Sequence, residues 1–238
     1  MLYAWIDGVK RQPIAKGEKT ICKDCGGVLT AVIPMENVKH WRHKAGDCDS
    51  WSEPEGEWHL KWKEYFDLNC REICLIDSVT GERHRADILC RTNTELATVL
   101  ELQHSSISEE ERLSREIFYQ QNHQMFWLVH IHSETAFNEF NFGISLELMS
   151  RECEYDGRKF TVTNWGGRSK QFIEKWKKST AHVFFDWRGY VFYLASEKIS
   201  LHLGGPFGRG EFAWCALSKR EFIDAVHGLK SKHQIRES

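Results

Sequence analysis

Three features that would classify the chain quickly are missing from it. There is no excess of positive charge: 32 Lys and Arg stand against 34 Asp and Glu, a formal net charge of −2. A globally basic nucleic-acid binder is therefore excluded, and any phosphate-binding face must be local. No apolar run approaches the ~20 residues that a bilayer-spanning helix needs, which leaves no membrane as a partner. The opening residues, MLYAWIDGVKRQP, lack the basic start and apolar core of a secretory signal. The expected location is therefore the cytoplasm. Internal repeats and low-complexity tracts are also lacking, so solenoid arrays and disordered tails fall away.

What remains is a chain of 238 residues, 41% hydrophobic and 28% charged, the composition of one or two globular domains. Ten Trp and fourteen Phe form a heavy aromatic load. Such rings serve cores first and base-stacking surfaces second. In a reducing compartment the eight Cys are metal ligands or buried thiols before they are disulfides.

Pattern divides the chain into residues 1–50, 51–150 and 151–238. The first segment holds short strand-like runs, Leu2–Ile6 and Val28–Ile33, broken by Asp7-Gly8 and Gly26-Gly27 turns. Such a segment is too small to bury much core, and metal often substitutes for packing there. Cys22-Lys-Asp-Cys25 supplies a thiolate half-site for tetrahedral zinc, and His40, His43 and Cys48 offer three residues for the other two positions. With four protein ligands no position is left for a water, so the expected role is structural.

The second segment reads as helix, three strands, helix, strand. Trp58, Trp62, Tyr65, Phe66 and Leu68 recur at helical spacing across Glu57–Cys70. Strands follow at Glu72–Asp77, His84–Cys90 and Leu96–Gln103, and their short connections suit an antiparallel meander. Ser108 stands in the capping relation to Glu111 at the head of the next helix, and Met125–Ile131 is a buried strand. Glu101 and Gln103, two apart on a strand, share a face, and a short connection can bring Asp87 beside them. Two carboxylates meeting in this way suit a hard cation such as Mg²⁺. The plainer alternative places Asp87 in a turn and Glu101 on a solvated face, against which stand the apolar flanks Ala97, Val99, Leu100 and Leu102.

Taken in order, these motifs resemble the competence protein CoiA-like family, which is assigned to the PD-(D/E)XK nuclease superfamily. They are the CxxC with its HxxH, Glu57-Trp-His59 opening a helix, Arg85-Ala-Asp87, then ELQHSSIS from Glu101, Arg115-xxx-Tyr119 on the next helix and the strand FWLVHI. The resemblance covers residues 1 to about 132. It implies Asp87 and Glu101 as ligands of Mg²⁺ or Mn²⁺, and Gln103 where the superfamily has its Lys. It also implies Glu57 completing the metal shell, and His59, Lys63, Arg115 and Tyr119 as candidates for contact with nucleic acid. Gln can hydrogen-bond a water but brings no charge and no base at neutral pH. The activity implied is metal-dependent hydrolysis of DNA, in preference to RNA, during uptake, recombination or defence against phage and mobile elements. An inactive nucleic-acid-binding relative is the alternative, and Gln103 is its best argument.

The expected fold is α/β: a restriction-endonuclease-like core with a mixed sheet flanked by helices, preceded by a zinc module and followed by a small α+β domain. In that last third Arg168, Lys170, Lys175, Lys177 and Lys178 interleave with Phe172 and Trp176. The rings are expected to form the buried stripe of a helix with the Lys solvated behind it.

Overall fold

The computed structural model describes residues 1–44, 49–51, 55–91, 97–133 and 138–229. The chain divides into two compact units, Met1–Leu89 and Cys90–Ser238.

The first unit opens with a hairpin, β1 (Ala4–Ile6) and β2 (Val9–Arg11). Its turn residues Asp7 and Gly8 both take positive φ, 49° and 79°, which a two-residue turn of this hand demands. A three-stranded antiparallel sheet follows, β3 (Lys19–Ile21), β4 (Val28–Val32) and β5 (His40–His43). Its core is small: Ala4, Cys22, Leu29, Ala31 and Trp41, with Met1 and Ile6 against them. Helix α1 (Glu57–Lys63) comes next, shorter than its periodicity suggests, and then the antiparallel pair β6 (Arg71–Ile76) and β7 (Arg83–Cys90).

The second unit is built on β8 (Thr98–Gln103), α2 (Glu109–Gln120), β9 (Gln124–Ile131), α3 (Asn138–Glu147), β10 (Met149–Tyr155), β11 (Arg158–Asn164) and α4 (Gln171–Lys177). It continues with β12 (His182–Trp187), β13 (Tyr190–Leu194), α5 (Glu197–His202), β14 (Glu211–Leu217) and α6 (Lys219–Val226). Within it the strand order is β10-β11-β14-β13-β12-β9-β8. β8, β9 and β12 are parallel and the others antiparallel, a mixed sheet. Phe184 meets Phe222 of α6 at 4.8 Å between ring centroids. Its neighbour Phe185 meets Phe142 of α3 and Phe172 of α4, each at 5.6 Å. Adjacent strand residues point to opposite faces, so helices cover both sides of the sheet.

The α/β class with a mixed sheet between helices is therefore as expected. The sequence-based division at residue 150 is not the one the contacts draw. β12 pairs in parallel with β9, Phe185 opposite Val129, so the last third extends the same sheet instead of forming a small domain apart. Ile173 and Trp176 are buried, and Trp176 packs edge-on against Trp127. Trp176 thus meets the core-stripe expectation, and Phe172 is half-buried, stacked on Trp165 at 5.2 Å. Lys175 and Lys177, however, are half-buried where solvated Lys were expected.

Candidate functional site

In the first unit β6 and β7 pair Arg71 with Ile88 and Ile73 with Ala86, so Glu72 stands across from Asp87. Two carboxylates in facing positions repel. The sequence answers with Lys63 at the end of α1, fully buried, its Nζ 2.9 Å from Asp87 Oδ1 and 3.1 Å from Glu72 Oε1. A third carboxylate, Glu55, reaches the same Nζ at 2.5 Å. Glu72 leaves strand geometry with φ +48° and accepts the N–H groups of Leu2 and Tyr3 at 2.8 and 3.1 Å.

Burial opposes charge on Glu72, Glu55 and Lys63, and the outcomes differ. For Glu72, burial is outweighed by Lys63, the terminal ammonium and the two backbone donors, which hold its carboxyl at about 2. Glu55 is pushed up to about 7 by burial, with Glu72 and Asp87 adding to the rise and Lys63 opposing it. Lys63 itself is raised well above its ordinary value, burial being overcome by Asp87, Glu55 and Glu72. Of the four side chains Asp87 is the most open, at 21% exposure. A cluster with three acids, one ammonium and one carboxylate open to solvent suits a divalent cation.

In the second unit Glu101 and Gln103 lie on one face of β8, both buried. Arg115 of α2 donates to Glu101 Oε2 at 3.0 Å and to Glu111 Oε1 at 2.6 Å. Burial works against its charge, and the two carboxylates sustain it. One turn along, Arg112 pairs with Glu116 at 2.6 Å, with both side chains almost fully enclosed. Glu116 also accepts from Trp127 Nε1, Ser179 Oγ, and the amide and hydroxyl of Thr180. Gln103 Nε2 donates to the carbonyl of Ser105 at 3.0 Å.

Between β3 and β4 the amide of Gly26 returns to the carbonyl of Cys22, folding the CxxC into a knuckle. Cys22, Cys25 and His43 converge there, their ligand atoms within 4.8 Å of one another, and Cys25 Sγ is 3.5 Å from His43 Nε2. A Cβ on Gly27 would approach Cys25 Sγ at 3.2 Å and His43 Cδ2 at 3.4 Å, so glycine leaves these groups their room. Two thiols and an imidazole fit the donor chemistry of zinc.

The structure distributes the other sequence-predicted residues unevenly. His40 stands three along from His43 on a strand, hence on the opposite face, and its Nδ1 lies 3.0 Å from the carbonyl of Val38. Cys48 falls outside the described residues. Glu57 is exposed and pairs with Lys61 at 3.5 Å; it sits about 200° around α1 from His59, away from the buried face. The acid beside Asp87 and Lys63 is instead Glu55, which sequence reasoning missed because it precedes the helix and carries no periodic signal. His59, Lys63, Arg115 and Tyr119, expected to face nucleic acid, are all buried. His59 takes the amide of Gly56 on its Nδ1 at the head of α1, while Lys63 and Arg115 orient carboxylates.

An α/β protein whose mixed sheet carries buried, cation-held carboxylates is thus the class defined by fold and site. Residues 68–183 match the family model described as the nuclease-like domain of competence protein CoiA. The match spans just under half of the chain and is a likeness to that nuclease-like domain. It extends some fifty residues beyond the motifs that first suggested it, to the start of β12. No curated protein and no solved structure matches the chain. Among the described residues no helix is long and apolar enough to cross a membrane.

Proposed function

We propose that the chain is a divalent-metal-dependent nuclease that hydrolyses DNA phosphodiester bonds, serving DNA uptake, recombination or defence. The observation that carries this reading is the contact of the Lys63 ammonium with Asp87, 2.9 Å from nitrogen to oxygen, inside a cluster of acids. In the CoiA-like pattern Asp87 and Glu101 are the metal-binding acids, and the residue two beyond Glu101 is Gln103 in place of a lysine. Lys63, from helix α1, supplies a cation to Asp87.

Mg²⁺ or Mn²⁺, when bound, polarises the phosphoryl oxygen and makes a bound water acidic enough to attack. The protein's own groups do the rest. Lys63 fixes the rotamer of Asp87, and Arg115 does the same for Glu101. Gln103 holds water by hydrogen bonds without taking its proton. Glu55, in place of Glu57, is the acid that completes the Asp87 cluster. Cys22, Cys25 and His43 would hold a structural zinc, with Cys48 the candidate from sequence for the fourth position and His40, on the other face of its strand, left out.

Plasmid, single-stranded DNA and RNA incubated with Mg²⁺, Mn²⁺ or EDTA test the proposal. Metal-dependent cleavage of DNA is expected, lowered ~10³-fold or more in Asp87→Ala and Glu101→Ala while DNA binding is retained. Binding without cleavage in the wild type would leave the inactive relative that Gln103 favours.

A further inference from the structure

Immediately after Gln103 the chain places His104, and β9 ends on His130 with His132 two residues on. β8 and β9 run parallel with Gln103 opposite Val129, so His104 and His130 emerge at neighbouring positions. By the two-residue alternation, His130 and His132 share the face of Phe126 and Leu128. His104 shares that of Leu100 and Leu102, opposite to Glu101 and Gln103. Three imidazoles therefore collect at the carboxyl ends of two parallel strands, on the side of the sheet away from α2. Open α/β sheets commonly take ligands at strand ends of this kind.

The rings are closely placed. Nδ1 of His104 lies 2.8 Å from Nδ1 of His130. His104 and His132 stack with centroids 4.1 Å apart and 4° between planes; His130 and His132 are 4.7 Å apart. All three offer a nitrogen within 4.8 Å of the others, and all three are half-buried. Nε2 of His132 lies 3.1 Å from the carbonyl of His104. A carbonyl only accepts, so that nitrogen carries the proton and the lone pair stays on Nδ1. Fixing a ligand tautomer through a backbone carbonyl is the usual outer support of a metal-binding His. Two lone pairs at 2.8 Å repel unless a proton or a cation lies between them.

We propose that His104, His130 and His132 form a second metal site, selective for a first-row transition dication of the zinc class and not for Mg²⁺. Neutral imidazoles suit Zn²⁺, Co²⁺ and Ni²⁺, whereas Mg²⁺ and Ca²⁺ require oxygen donors. Three protein ligands leave at least one coordination position for water or an incoming anion. The site is separate from the Cys22–Cys25–His43 cluster in donor type, since it contains no thiolate, and from Glu101 by sheet face.

The test is residue-resolved imidazole NMR on the full-length protein, first stripped with a chelator and then titrated with Zn²⁺ or Mg²⁺. Zn²⁺ is expected to shift the ring signals of His104, His130 and His132 together and saturably, and Mg²⁺ to leave them in place. Metal analysis of dialysed protein should show one equivalent fewer in His130→Ala. Its Co²⁺ spectrum should keep the thiolate charge-transfer bands of the Cys site, and its affinity at the His site should fall at least ~10-fold. Ring signals in the wild type that ignore Zn²⁺ would mean that the three His share only protons, and the proposal would fall. Unchanged stoichiometry in a folded His130→Ala variant would sink it equally.

Discussion

Lys63 brings one ammonium into contact with Asp87, Glu72 and Glu55 and is itself fully enclosed. Its removal leaves several buried acids without their cation, a loss of about 3–5 kcal/mol when one partner of an enclosed pair is deleted. Lys63→Met should therefore lower the urea midpoint steeply, and cleavage should fall further than the lost folded fraction accounts for. Equal losses in both would reduce Lys63 to a scaffold residue. Glu55 and Glu72 respond to pH in opposite senses. Glu55, lifted from 4.5 to about 7, contributes stability that is complete below pH 4.5 and disappears as pH rises through 7. Glu72, held at about 2, contributes stability that is present above pH 4.5 and fades as pH falls toward 2. Unfolding followed against pH in EDTA should show both limbs, and Glu55→Gln should flatten only the upper one. The RAD motif singles out Asp87 in the sequence, and the structure sets it against Lys63. Glu55 carries no such mark, because its placement depends on where a loop delivers it to Lys63.

Helix α2 shows how far element-level reasoning carries. Ser108 accepts the amide of Glu111 at 3.0 Å, as its spacing predicts, and Arg112–Glu116 and Arg115–Glu111 are ion pairs one turn apart. Nothing in that spacing reveals that Arg112 and Glu116 are buried, because the remaining donors to Glu116 come from Ser179 and Thr180, more than sixty residues later. Glu116 thus ties α2 to β9 through Trp127 and to the approach of β12. Glu116→Ala strands Arg112 and these donors, and should cost about 3–5 kcal/mol. Glu116→Gln, which keeps the acceptor oxygen, should cost less, and thermal denaturation would order the two. The β12–β13 hairpin turns at Arg188-Gly189, both at positive φ, which is a local signal, whereas the parallel pairing of β12 with β9 has none. Strand pattern states which residues face inward but not which distant strand lies alongside.

Across the whole molecule, stability is distributed unevenly. The amino-terminal sheet rests on a handful of buried residues and the Cys22–Cys25–His43 knuckle, while the second unit has a core of interleaved aromatic rings around Phe142, Phe185 and Trp165. Chelation should accordingly speed amide exchange in residues 1–44 and leave the amides of β8, β9 and β12 protected. Uniform loosening, or none, would count against a structural metal in that sheet. The convergence of Cys22 and Cys25 was legible from their spacing. The separation of His40 from His43 was not, because an HxxH lies on one face in a helix and on two faces in a strand. The parallel register of β9 and β12 has a practical consequence for anyone dissecting the chain. A fragment cut near residue 150 would leave the backbone donors and acceptors along one side of Gln124–Ile131 unsatisfied, beside a run of large apolar groups. Such a segment is a template for intermolecular strand addition, and the isolated piece should aggregate more readily than the intact chain.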